Sequence, residues 1–220
     1  MSKTPPPQPR NSVMAAAIDL FATQGFEQTS VDQIAQAAGV SRSTFFRQFG
    51  GKDDVVFADH EYLLQHLRDY LARKHEDPWR AVCEASILVF RHFASDPELA
   101  RHRYRVVRDV PVLREREIVT VFRYERLFDE YLRTALPGLD PLDAVSFSAA
   151  VTALHNHVLR RLLRGSKVPV STLRNALTEA RRRFGVHAGL PHDDVVVAVF
   201  PREMPTAEAV RRIQSQLSNT

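Results

Sequence analysis

The sequence predicts an all-α chain, with a three-helix helix-turn-helix unit near its start and a larger helical domain behind it. Three observations predict this. Residues 29–49, TSVDQIAQAAGVSRSTFFRQF, hold two short apolar stripes at helical spacing with a tight turn between them. Prolines and glycines divide residues 52–186 into segments of helical length. The β-branched run bounded by turn residues comes late, in a tail at 187–220.

The first ten residues, MSKTPPPQPR, are too polar and proline-rich to order themselves and predict a flexible arm at 1–10. Residues 11–24 predict a first helix with Val13, Ala17, Leu20 and Phe21 turned inward and Gly25 as its stop. Ser30 with Gln33 makes a capping box, and Val31, Ile34, Ala35 and Ala38 form the stripe of the second helix. Gly39 ends it where a left-handed residue is cheap. Ser41 caps the third helix, whose stripe is Phe45 and Phe49. Two helices this short are not stable alone. They make sense as a helix-turn-helix whose second helix enters the major groove of DNA.

Gly50-Gly51 closes this unit at 11–51. Lys52 to Lys74 predicts one long helix carrying Val55, Val56, Leu63, Leu67 and Leu71. Asp77-Pro78 and Asp96-Pro97 each open a further helix, with proline in the first turn. Residues 112–135, 141–164 and 170–184 predict three more, separated by Pro137-Gly138 and Gly165. Asp194 to Pro201 predicts a short strand, and 205–217 a terminal helix.

The order A..LF...GF..TSV..IA..AGVSR.TFF..F..KDD over residues 11–56 resembles the DNA-binding domain of TetR-type transcriptional repressors. The resemblance implies a homodimeric, ligand-responsive repressor that binds a near-palindromic operator in double-stranded DNA and is released by a small effector. An alternative keeps the DNA binding but places control with a partner protein or the tail. The resemblance implies DNA contacts from Thr29, Ser41, Arg42, Ser43, Thr44, Phe46, Gln48 and Lys52, with Arg10 reaching the backbone or minor groove from the arm. Phe46 stands where the family usually has a phosphate-contacting tyrosine, and Gln48 where it often has histidine or tyrosine. The helices at 141–184 resemble the family's dimerisation pair.

The region at 52–186 would then hold the effector, either an apolar molecule or an anion such as an acyl-CoA. Arg101, Arg103, Arg105 and Arg108 are the candidates for an anionic head group. Trp79 and Phe122 are the aromatic candidates for the same site. A solvated arginine face paired with glutamates is the competing reading. An enclosed space of roughly 300–1,000 Å³ would favour a ligand, and a solid core a partner.

At 220 residues, 44% of them hydrophobic, the chain can bury a full core. The net charge of +4 is a weak pointer to nucleic acid. Within residues 1–50, Lys3, Arg10, Arg42 and Arg47 oppose Asp19, Glu27 and Asp32, which is thin for DNA binding unless a dimer doubles each contact. Cys83 is the single cysteine, so no internal disulfide forms and a reducing cytoplasm is compatible. No signal peptide and no membrane span are expected, because the start lacks an apolar run and no stretch of about 18 apolar residues follows. His155 and His157 lie two apart on opposite faces of a helix, so no shared metal is expected. No cofactor and no catalytic constellation are expected either, since no phosphate loop or nucleophile motif is present.

Overall fold

Residues 9–185 and Glu208 are described in the computed structural model, and 9–185 fall in one unit that extends to Val186. The N-terminal helices are α1 (Pro9–Gln24), α2 (Val31–Ala37), α3 (Arg42–Phe49) and α4 (Lys52–Val56). They are followed by α5 (Ala58–Leu71), α6 (Pro78–Ser95), α7 (Pro97–Asp109), α8 (Pro111–Ala135), α9 (Pro141–Leu163) and α10 (Val170–Arg183). No strand occurs among the described residues. The predicted strand at 194–201 lies outside them, as does the helix predicted at 205–217 except for Glu208, which is helical. Among the described residues, no helix is long and apolar enough to cross a membrane.

The local signals act as the chemistry dictates. The backbone N–H of Gln33 donates to the Ser30 hydroxyl at 3.2 Å, and the Ser30 N–H donates back to Gln33 Oε1 at 2.8 Å. Gly39 takes φ +68°, the left-handed turn between α2 and α3. Gly50 takes φ +80° at the end of α3, where an added Cβ would also lie 2.9 Å from Asp54 Oδ2. Asp77 and Asp96 cap α6 and α7, each ahead of a proline in the first turn. Helix α1 starts at Pro9, so Arg10 belongs to the helix and not to a free arm.

Two apolar cores form. The larger joins α5, α6, α8, α9 and α10 around Leu64, Leu67, Phe90, Phe147 and Leu173. The smaller joins α1–α4 around Ile18, Ile34 and Phe45. It is completed by Val106 and Val107 of α7 and Leu113 of α8, so the N-terminal unit does not close on its own residues.

The single helix expected from Lys52 to Lys74 is broken. Helix α4 ends at Val56, and Phe57 leaves the helical range at φ −110°, ψ 11° before α5 begins. The reason is that the segment serves both cores. Val55, Val56 and Phe57 are buried in the smaller one, while Leu63, Leu64, Leu67 and Leu71 are buried in the larger. A straight helix cannot aim its side chains at both. Helix α5 also stops at Leu71, three residues short of the expected end.

Candidate nucleic-acid interface and internal cavity

Helix α3 buries Phe45 and Phe49 and turns Arg42, Ser43, Phe46 and Arg47 to solvent. The Ser41 hydroxyl accepts the Thr44 N–H at 3.1 Å and bonds the hydroxyls of Ser43 and Thr44. This cap holds the first turn of α3 in place, where helix-turn-helix proteins touch base edges. The Arg42 guanidinium grips Asp32 of α2 through Nη1, at 2.8 and 2.6 Å from the two carboxylate oxygens. Both side chains stay largely exposed, at 65% and 60%, and the guanidinium also lies 5.4 Å from the Phe46 ring centre. An exposed pair of this kind is weak and screened by salt, so Arg42 can be released to a base or phosphate at small cost. Arg47 stands one turn after Ser43 on the face opposite Phe45 and Phe49.

Helix α4 is tied down by three cations. The Lys52 ammonium donates to the Phe26 carbonyl at 2.8 Å and lies 4.3 Å from the Phe26 ring centre, which fixes α4 to the turn ahead of α2. Arg116 of α8 reaches across to Asp53 at 2.7 Å and to Asp54. Arg103 of α7 donates through Nε to the Val56 carbonyl at 2.8 Å. Its guanidinium is clamped between the rings of Phe57 and Phe93, 5.3 and 5.4 Å from their centres.

Arg103 is also part of the wall of a cavity of about 60 Å³ between α5 and α9. Its polar lining includes His60, Ser86, Tyr124, Thr152 and His155, and its apolar lining includes Val89, Phe93, Phe128 and Leu159. Arg103 Nη2 meets His60 Nε2, and His60 Nδ1 lies 3.0 Å from the Tyr124 hydroxyl. Burial, then the Arg103 charge, push His60 down to about 3, so it is neutral. Asp59, beside His92 at 3.5 Å, is buried as well. Burial alone would raise its pKa, but Arg103 and the neighbouring histidines outweigh this and hold it below the usual carboxylate range. His155 Nδ1 lies 3.1 Å from the Ser86 carbonyl, and burial lowers it to about 4. Asp59, Phe93 and Arg103 border a second cavity of about 280 Å³, lined on its other side by Ser12 and Met14 of α1.

The profile of the family described as bacterial regulatory proteins, tetR family, matches residues 13–58. Residues 13–58 thus carry the N-terminal domain of the tetR family. Members of this family are DNA-binding regulators and not enzymes. MftR of Mycobacterium tuberculosis is 39% identical over 93 residues, which cover 41% of this chain and 46% of that protein. EthR of Mycolicibacterium smegmatis is 30% identical over 108 residues, 47% of this chain and 50% of its own length. The chain thus spans about half the length of the curated relatives it matches. The fold reaches further. A TetR-family regulator of Syntrophomonas wolfei aligns with 84% of this chain and 97% of its own, at 15% identity and a TM-score of 0.61. SmeT in complex with triclosan aligns with 90% and 99%, at 19% identity and a TM-score of 0.58.

Within the tetR-family domain, Ser41, Arg42, Ser43, Thr44 and Phe46 gather at the exposed or half-exposed side of α3. Gln48 is only half-buried and keeps its side-chain oxygen away from solvent. Thr29 is not available as expected. It is buried, its hydroxyl donates to the Gly25 carbonyl at 2.7 Å, and it accepts from Gln24. Lys52 is largely spent on the Phe26 carbonyl. Arg47, not among the expected contacts, is exposed on the same outward side, opposite Phe45 and Phe49.

Behind the tetR-family domain, only Arg103 of the four candidate arginines lines the cavity. Arg101, Arg105 and Arg108 open instead on an outer groove with Arg164 and Glu98. Trp79 packs edge-on against Phe147, 4.8 Å between ring centres, and does not line the cavity. Phe122 is 60% exposed on the far side of α8. His60, Tyr124, Thr152 and His155 were not singled out as ligand contacts, because they converge from three helices distant in sequence.

Proposed function

We propose that this protein is a homodimeric, ligand-responsive transcriptional repressor of the cytoplasm, with α3 reading a near-palindromic operator and the cavity receiving the effector. One observation carries the reading. Arg103 lines the cavity and holds the last carbonyl of α4, while Lys52 at the other end of α4 is bonded to the helix-turn-helix. A ligand that draws Arg103 Nε off the Val56 carbonyl, with Nη2 still on His60, therefore loosens the element that orients α3. By linkage it lowers operator affinity only if it binds the DNA-free arrangement more tightly. The solved complex of SmeT with triclosan, on the same fold, supports a small-molecule effector.

Helices α9 and α10 supply the proposed dimer face. Leu142 is 70% exposed, and Val145, Ala149 and Ala153 continue its stripe along α9, small enough for close approach of a second copy. Two such copies can set their α3 helices in successive major grooves, about 34–36 Å apart. The test is to capture genomic fragments retained by the protein, map the shared palindrome, and measure its release by small-molecule extracts. Ultracentrifugation that finds only monomer at micromolar concentration refutes the dimer.

The cavity volume of about 60 Å³ favours a second reading, since ligand sites span roughly 300–1,000 Å³. In that reading a protein partner releases the DNA. Operator release by a protein fraction, and by no small-molecule fraction, would select it.

A further inference from the structure

Resting on the effector reading, we propose that the cavity takes an uncharged ligand with an apolar body and one hydrogen-bond-accepting oxygen, a ketone or ester carbonyl, received by the Tyr124 hydroxyl. The direction of the hydrogen bonds decides this. A guanidinium only donates, so the contact of Arg103 Nη2 with His60 Nε2 makes that nitrogen the acceptor. The ring proton of neutral His60 is then on Nδ1 and is donated to the Tyr124 oxygen at 3.0 Å. Tyr124 must turn its own hydrogen elsewhere, and it lines the cavity. The chain Arg103 to His60 to Tyr124 thus delivers a polarised O–H to a ligand acceptor. Thr152, also buried at the cavity, has a hydroxyl with no hydrogen-bond partner.

Charge balance disfavours an anion. Arg103 is matched by ionised Asp59, while His60 and His155 are neutral, so the buried set carries no net charge. An entering carboxylate would be an uncompensated buried charge. Glu117 at the cavity edge adds repulsion. The space holds only a few waters, so the ligand body must push aside the half-buried Leu159 and Leu163.

The test is calorimetric titration of the full chain with three probes of one shape: acetophenone, benzoate and isopropylbenzene. Acetophenone should bind most tightly, benzoate at least tenfold more weakly. Tyr124→Phe should weaken acetophenone about tenfold, because the buried carbonyl loses its donor, and leave isopropylbenzene within twofold. Thr152→Val should weaken acetophenone less, and Val121→Trp, which fills the cavity, should bind none of the three. Benzoate binding as tightly as acetophenone overturns the uncharged class but leaves the cavity as the effector site. Equal acetophenone binding by wild type and Tyr124→Phe overturns the role of Tyr124. Binding retained by Val121→Trp places the probes elsewhere and overturns the proposal. No binding of any probe to wild type overturns both the proposal and the effector reading beneath it.

Discussion

Replacing Arg103 by methionine keeps an apolar stem of similar length and removes the charge. Arg103 and Asp59 are only 6% and 7% exposed, so the substitution leaves a buried carboxylate beside neutral His60 without its balancing cation. Breaking a buried charge pair from one side costs about 3–5 kcal/mol, an upper bound here because Arg103 acts on Asp59 by charge and not by a direct ion pair. At roughly 2–4 °C per kcal/mol for a chain of this size, the Tm should fall by up to about 20 °C. The loss should depend on pH. In the wild type the folded pKa of Asp59 is lowered below 3.8, so its contribution is present above pH 3.8 and fades as the pH falls through the folded value. Without Arg103 that lowering shrinks, and His60 becomes easier to protonate beside Asp59. The penalty should therefore be smaller at pH 5 than at pH 8. Denaturant and thermal unfolding at both pH values, at one fixed protein concentration, measure it. The double variant Asp59→Asn, Arg103→Met should regain part of the stability. A loss under about 1 kcal/mol at pH 8, or a double variant no more stable than Arg103→Met, would refute the charge-balance argument.

Three further outcomes are expected. Asp32→Asn should free Arg42 and tighten operator binding by about 1.5- to 5-fold, the worth of an exposed pair, whereas Arg42→Ala should weaken it about 5- to 150-fold if Arg42 forks a base; quantitative gel shift reads both. Arg47→Ala should lower affinity for specific and nonspecific DNA alike and reduce the salt slope by about one, and an unchanged slope would remove Arg47 from the phosphate contacts. His155 binds a proton only near pH 4 when folded, against 6.5 unfolded, so stability should fall on acidification through that window, and His155→Asn should fall less steeply in urea titrations at pH 6.5 and 4.5.

What was legible in the sequence was local. The capping box of Ser30 and Gln33, the left-handed Gly39 and the proline-led helices at 78 and 97 depend on neighbours within four residues. The break at Phe57 was not legible, because it is imposed by a second core that includes residues about 50 positions away. The cavity was partly legible. Arg103 falls on the inward stripe of Ala100, Val106 and Val107, and His155 on that of Val151 and Val158. A polar residue on such a stripe is the signal of the cavity, and arginine density is not. Phe122 is aromatic, yet it follows the outward stripe of Ile118 and Val119.

The shared closure of the smaller core bears on how such regulators can be recombined. A graft cut after residue 58 would carry Val13, Ile18 and Phe57 away from Val106, Val107 and Leu113. The transplanted reading head would arrive with an open apolar wound, prone to stick to its own kind. A recipient scaffold would have to supply equivalent plugs from its own seventh and eighth helices. With α3 reading DNA as proposed, exchange of specificity within this architecture is better made by rewriting its outward face than by moving the head as a block.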